Sequence, residues 1–211
     1  MDQAIAFSLL ISTWMLFQIR RIGDSVGILA FQSTILAFSA GAMWYKTGIS
    51  HLLIAAVLTL LVKALLIPFI LQYTIKKIDI KREVERFTSK YISLLLALAL
   101  SAAGFYLASR LELPGKEHGQ PYLAVSIILI FLGTLIMIDH KKAIMQGVGL
   151  ITIENGLFLI AQSLSYGMPL IVELGIFFDM LVTVIVIGIL SFRIHSTFES
   201  LNTEKMQNLK G

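Results

Sequence analysis

Four ionisable side chains stand among residues that are almost entirely apolar. They are Lys63 in TLLVKALLIPFIL, Glu154 in GLITIENGLFLI, Glu173 in PLIVELGIF and Asp179 in GIFFDMLVT. Placing one such charge in hydrocarbon costs about 2.5–3.5 kcal/mol on insertion scales, so these residues pair with one another or carry function. Burial penalises the charged form of a carboxyl or an amine, which brings proton uptake and release within reach near neutral pH. That is the chemistry of a proton relay or of a charge-sensing switch. The plainer alternative is a static pair of Lys63 with one carboxylate, but one lysine cannot serve as the simple partner of several acids.

Other chemistries lack their residues. The chain has no cysteine, so it holds no disulfide, iron–sulfur or thiolate metal site. It has no phosphate-binding glycine loop, no dinucleotide fingerprint and no HExxH zinc motif. The histidines, at 51, 118, 140 and 195, fall at the ends of apolar runs or between them. His140 and His195 share one side, the one pair that would allow a haem there. No cofactor of its own and no metal site is expected.

The elements that position the four charges follow from composition. Of 211 residues, 57% are hydrophobic and 14% charged, against about 25% charged in a soluble domain. Mean hydropathy is +0.85. Runs long enough to cross a bilayer as helices fall at 3–19, 25–45, 51–73, 91–109, 121–138, 143–165 and 169–192. The expectation is an all-α integral membrane protein of seven transmembrane helices. The divisions expected are a four-helix region over 1–110, a three-helix unit over 121–195, and a short tail over 196–211.

Rise per residue puts Lys63, Glu154 and Asp179 all roughly 15–18 Å from a membrane face, close to the midplane. Glu173 lies about 9 Å nearer the outside than Asp179. Asn155 beside Glu154, and Gln162 further along the same span, could bond across helices or hold water near the carboxylate. Helix-to-helix glue is the plainer reading for each. Ser33, Ala37 and Gly41 form a small-residue packing face. Pro68, just past Lys63, is expected to bend or break its span and free carbonyls near the lysine.

Lysine and arginine number 13 in one set of alternate connections and 3 in the other, with Lys63 inside the membrane. The bias places the N-terminus outside and the C-terminus in the cytoplasm. The N-terminal MDQ lacks the positive charge of a secretory signal, and Arg20 and Arg21 follow the first apolar run. The net charge of +4 therefore reflects membrane topology, and no nucleic-acid partner is expected. The stretch 75–90 reads either as an interfacial amphipathic helix or as a solvated loop.

The last three runs resemble the three-helix K-type subunit of respiratory complex I and the C-type subunit of Mrp antiporters. The likeness rests on FLGTLIMIDHKKAIMQGVGLITIENGLFLIAQSL, where a glycine-containing helix leads through Lys141-Lys142 to Gly149-Leu150 and Glu154-Asn155. In such subunits the place of Glu154 holds a proton-channel glutamate, and the next helix holds a second, best matched here by Asp179. With four further N-terminal helices and the Lys63–Pro68 segment, the whole chain resembles the hydrogenase-4 component E family, membrane subunits of formate hydrogenlyase-type and related complexes.

The resemblance implies a subunit of a complex I-like oxidoreductase in the inner (cytoplasmic) membrane. Electron transfer would occur in a hydrogenase-like iron–sulfur arm. Antiporter-like and other membrane subunits, and the lipid bilayer, would be the partners. Lys63, Glu154 and Asp179 are the proton-transfer candidates, with Glu173, Asn155 and Gln162 as secondary polar candidates and no catalytic residue of the chain's own. The alternatives are a scaffold subunit without ion conduction and a subunit of a Mrp-type cation/proton antiporter.

Overall fold

The computed structural model describes residues 2–77, 84–111 and 120–165, together with 178, 181–182, 184–185 and 188–189 of a last helix. Among the described residues the chain is helical, apart from turns and isolated backbone bridges. The helices are α1 (Asp2–Leu16), α2 (Ile22–Thr47), α3 (Ser50–Leu58), α4 (Ile67–Lys77), α5 (Lys90–Arg110), α6 (Gln120–Asp139) and α7 (Ala143–Ser165), with a π-helical stretch at Thr59–Leu66 joining α3 to α4.

Among the described residues five helices are long and apolar enough to cross a membrane: Ile22–Thr47, Ser50–Lys77, Lys90–Arg110, Tyr122–Asp139 and Ala143–Gln162. Each overlies one of the runs expected from the sequence. The first run gives a shorter apolar helix, Gln3–Leu16. Most of the seventh run, with Glu173 and Asp179, lies outside the described residues, as does the tail.

Local chemistry sets the helix ends. Gly48 takes a left-handed conformation (φ 70°) that donates its N–H to Trp44 O at 2.8 Å and closes α2. The following helix starts at once, so α2 and its successor are antiparallel neighbours. Gly41 fits that arrangement, because a Cβ there would meet the Ala56 Cβ at 3.9 Å. The small-residue face read from the sequence is thus a packing face. Ser89 caps α5, its hydroxyl accepting from the Ile92 N–H.

The main core gathers residues from most of these helices. Phe17, Val26, Leu29, Leu71, Ile128 and Met145 are all fully buried in it, and Val184 of the last helix joins them. Gly188 places that helix against α4, since a Cβ there would lie 3.3 Å from Thr74 Oγ1.

Helices α6 and α7 approach each other closely along their length. A Cβ on Gly149 would lie 2.6 Å from Gly133 O, and one on Gly156 would lie 2.8 Å from Ser126 O. Gly149 and Gly156 fall on one face of α7, seven residues apart. Backbone therefore meets backbone, the usual way small residues let membrane helices approach.

One end of the bundle is tied by its connections. Val84 N–H donates to Arg20 O at 2.9 Å, Phe87 N–H to Asp139 O at 2.7 Å and Lys141 N–H to Glu85 O at 3.2 Å. The connections around residues 20, 84–89 and 139–142 thus lie together, as the alternation of basic loops requires. The described part of the 75–90 stretch beyond α4 is neither an amphipathic helix nor simply solvated. It is an extended strap bridged to His140 through Arg86.

Candidate functional site

Lys63 and Glu154 meet inside the bundle, Lys63 Nζ lying 3.8 Å from Glu154 Oε2. Both side chains are buried, 2% and 9% exposed, so little solvent screens the pair. At that separation, and an effective dielectric near 20, two unit charges attract by about 4 kcal/mol.

The backbone around each partner accounts for the meeting. Glu154 is five residues beyond Gly149, which turns it about 140° away from the face pressed on α6. It is therefore free to address the helices beyond. Lys63 sits within the π-helical stretch, which ends with Ile67 N–H donating five residues back to Val62 O. Pro68 explains that wider turn. Its ring would crowd the Ala64 carbonyl in a regular helix and it has no N–H to donate. The helix is not broken at Pro68, as the sequence allowed, but runs continuously from Ser50 to Lys77. π-Helical turns inside α-helices recur at functional sites.

A second set of polar groups adjoins the pair. Asn155 Nδ2 donates to Gln32 Oε1 at 3.2 Å, Gln32 Nε2 to Thr13 Oγ1 at 2.9 Å, and Thr13 Oγ1 to Leu9 O at 2.8 Å. The file crosses α7, α2 and α1. Further along the same two helices, Ser39 Oγ donates to Gln162 Oε1 at 3.0 Å. Asn155 Oδ1, Gln162 Nε2, Ser33 Oγ and Thr59 Oγ1 are buried with no hydrogen-bond partner among the described residues.

Of the residues singled out from sequence, the structure joins Lys63 to Glu154 and sets Asn155 beside them. Gln162 lies about 10 Å further along α7. Asp179 and Glu173 lie outside the described residues. Sequence reasoning missed Gln32 and Thr13, although a glutamine in mid-span carries the same signal as Asn155.

It also missed a cluster at the strapped end. Asp139 accepts from Thr88 N–H at 3.1 Å and from the Ser93 hydroxyl at 2.5 Å, and Arg86 donates to Phe17 O at 2.7 Å. His140 is fully buried and its Nδ1 contacts Ile136 O at 2.8 Å. Burial, and to a lesser extent the Arg86 charge, hold its imidazole below the usual histidine range. Lys142 pairs with Glu85 at 3.3 Å on the more exposed rim. Among the described residues no group of three or more His, Asp or Glu could hold a metal ion.

The described chain is thus a multi-pass helical membrane protein with a buried ion pair and a polar file in its interior. It is similar to hydrogenase-4 component E of Escherichia coli K12, with 29% identity over 188 residues covering 89% of this chain and 87% of that one. The Shigella flexneri protein of the same name matches to the same extent. An uncharacterised protein of Mycobacterium tuberculosis is 29% identical over 189 residues, covering 88% of this chain and 84% of its own. No family model matches the chain, and no solved structure does.

Proposed function

We propose that this chain is a membrane subunit of a hydrogenase-type, complex I-like oxidoreductase in the inner membrane, and that Lys63 and Glu154 form part of its proton- or cation-translocating path. Electron transfer takes place in an iron–sulfur arm, and antiporter-like membrane subunits adjoin this one. The observation that carries the reading is the Lys63–Glu154 pair, 3.8 Å apart and buried beside a π-helical turn. Similarity to hydrogenase-4 component E over most of both chains supports the complex.

The chemistry follows from the pair's setting. While both groups are charged they hold each other. When a charge moves nearby, or the lysine turns away, the stranded carboxylate gains by taking a proton. Asp179, in the K-type unit over 121–195, is proposed as the next acceptor, and Glu173 lies further towards the outside. The N-terminus faces outwards and the C-terminus the cytoplasm, on the distribution of basic residues.

Glu154→Gln tests the proposal in the complex purified from its own membrane and reconstituted in vesicles. The amide keeps shape and hydrogen bonding but removes the titration. The expected result is an assembled complex that still transfers electrons and no longer acidifies vesicles. Undiminished proton movement in the assembled variant leaves the scaffold role instead.

A further inference from the structure

We propose that Lys63 has a second resting place inside the bundle, made by the hydroxyls of Ser33 and Thr59, and that the ammonium moves there while Glu154 carries a proton. The inference rests on the proposed role of the Lys63–Glu154 pair and names the residues that complete it.

Ser33 Oγ and Thr59 Oγ1 are fully buried and make no hydrogen bond among the described residues. A hydroxyl on a helix has an acceptor at hand in the carbonyl one turn back. Thr13, Ser25, Ser101 and Thr152 use it, and Ser39 bonds instead to Gln162. Leaving a buried hydroxyl unbonded is costly, so the two exceptions mark places that another group visits.

Both exceptions stand at Lys63. Thr59 opens the π-helical stretch that carries the lysine, four residues ahead of it. Residues four apart share a helix face one turn apart, and a helical side chain leans towards the N-terminal end of its helix. The lysine stem therefore sets out towards Thr59. Ser33 stands across from them on α2. It is turned about 100° from Gln32, which reaches α7, and about 80° from Gly41, which meets Ala56 of α3. It faces the junction of α2, α7 and the α3–α4 helix, where Lys63 and Glu154 meet. Gln32 bonds to Asn155, so Ser33 and Glu154 lie within about 3 Å of one depth.

The chemistry suits an ammonium, which has three donors and no acceptor, whereas a hydroxyl oxygen accepts. While Glu154 is ionised, its charge holds the lysine. When Glu154 takes a proton from the path, that counter-charge is gone, and a buried ammonium without partners is costly. On Thr59 and Ser33 it stays bonded and keeps its own protons. Its return drives the proton off Glu154, so one proton is taken and one given up in each swing. The charges of α2, Asp24 and Lys46, lie in its first and last turns, away from this layer. Neither hydroxyl changes charge, and Ser33 and Thr59 are positioning residues.

Reversible unfolding of the full chain in SDS tests the resting place apart from transport. Thr59→Val keeps the shape and removes the hydroxyl. In the native background it is expected to leave the unfolding constant within about threefold, because the hydroxyl is idle while the pair is closed. In a Glu154→Gln, Asp179→Asn background neither carboxylate proposed for the path can hold the ammonium. There the same change should raise the unfolding constant about tenfold or more, the worth of a hydrogen bond to a charged group. Ser33→Ala should depend on background in the same way, and Thr59→Ser should restore the native behaviour. An equal effect in both backgrounds overturns the resting place, and so does a difference that survives Lys63→Met. Should Thr59→Val fail to fold, Ser33→Ala is read with the same outcomes. Proton movement lost in Glu154→Gln with no such dependence on background leaves the role of the pair and removes the resting place. Full proton movement in Glu154→Gln overturns the role of the pair.

Discussion

Removing the charge of Lys63 strands a carboxylate, and the cost can be worked out from the geometry. The pair is 3.8 Å apart and almost fully buried, so its attraction at an effective dielectric near 20 is about 4 kcal/mol. Lys63→Met keeps the length of the side chain and loses that attraction. Breaking a buried pair from one side costs about 3–5 kcal/mol. Glu154→Gln then removes the stranded charge, so the second substitution should stabilise the Lys63→Met protein although it destabilises the native one. The interaction energy of the cycle is expected near 3 kcal/mol, at the top of the range for side chains in contact. Reversible unfolding by SDS in mixed micelles, followed by the fluorescence of Trp14 and Trp44, gives the four stabilities. If the single changes add within about 0.5 kcal/mol, the two groups do not interact as an ion pair. Lys63→Arg, which keeps the charge, should fall well short of the methionine variant in damage.

Gly149→Val should loosen the contact of α6 with α7, because a Cβ there lies 2.6 Å from Gly133 O and 2.8 Å from Met137 N. A cost of about 1–3 kcal/mol or more is expected, read in the same unfolding assay, and unchanged stability would contradict the close approach. His140 is held neutral in the folded protein, so its contribution is intact above the ordinary value of 6.5. It is lost as pH falls through the lowered folded value, since the unfolded chain then binds the proton first. The protection of the strap amides of Val84, Phe87 and Thr88, with the intrinsic pH dependence of exchange divided out, should therefore fall on acidification from pH 7 to pH 5, and not in His140→Gln.

How much of this was legible beforehand differs between levels. Helix positions came from hydropathy alone, because a membrane demands one long apolar run per crossing and the runs announce themselves. Depth, too, is one-dimensional. Counting residues put Lys63 and Glu154 in one layer, and they meet. Azimuth is not written so openly, because whether two residues at one depth face each other depends on helix rotation. That rotation is set here by Gly133, Gly149 and Gly156, and by the wider turn ahead of Pro68. Proline was read as a bend or a break because its missing N–H is a local property. The π-helical turn that absorbs it depends on eight residues acting together. Gln32 escaped notice because its span carries no charge to draw attention. Asp139 escaped because it falls just past the end of its apolar run, in a connection, whereas Thr88 and Ser93 bond to it there.

The backbone contact of α6 with α7 divides the molecule mechanically. Where two helices touch through glycines, backbone sits against backbone, and the side chains beside it, among them Met137 and Ile153, are wedged in the same contact. Sliding one along the other would drive Cα atoms into carbonyl oxygens already at their limit. The two helices are a stator. Glu154 rides on it and keeps its place, so any change in the 3.8 Å separation has to be made by the other arm of the pair. That arm hangs on a wound turn whose hydrogen bonds reach back five residues instead of four and that Pro68 keeps wound, so the movement is left to the long lysine side chain.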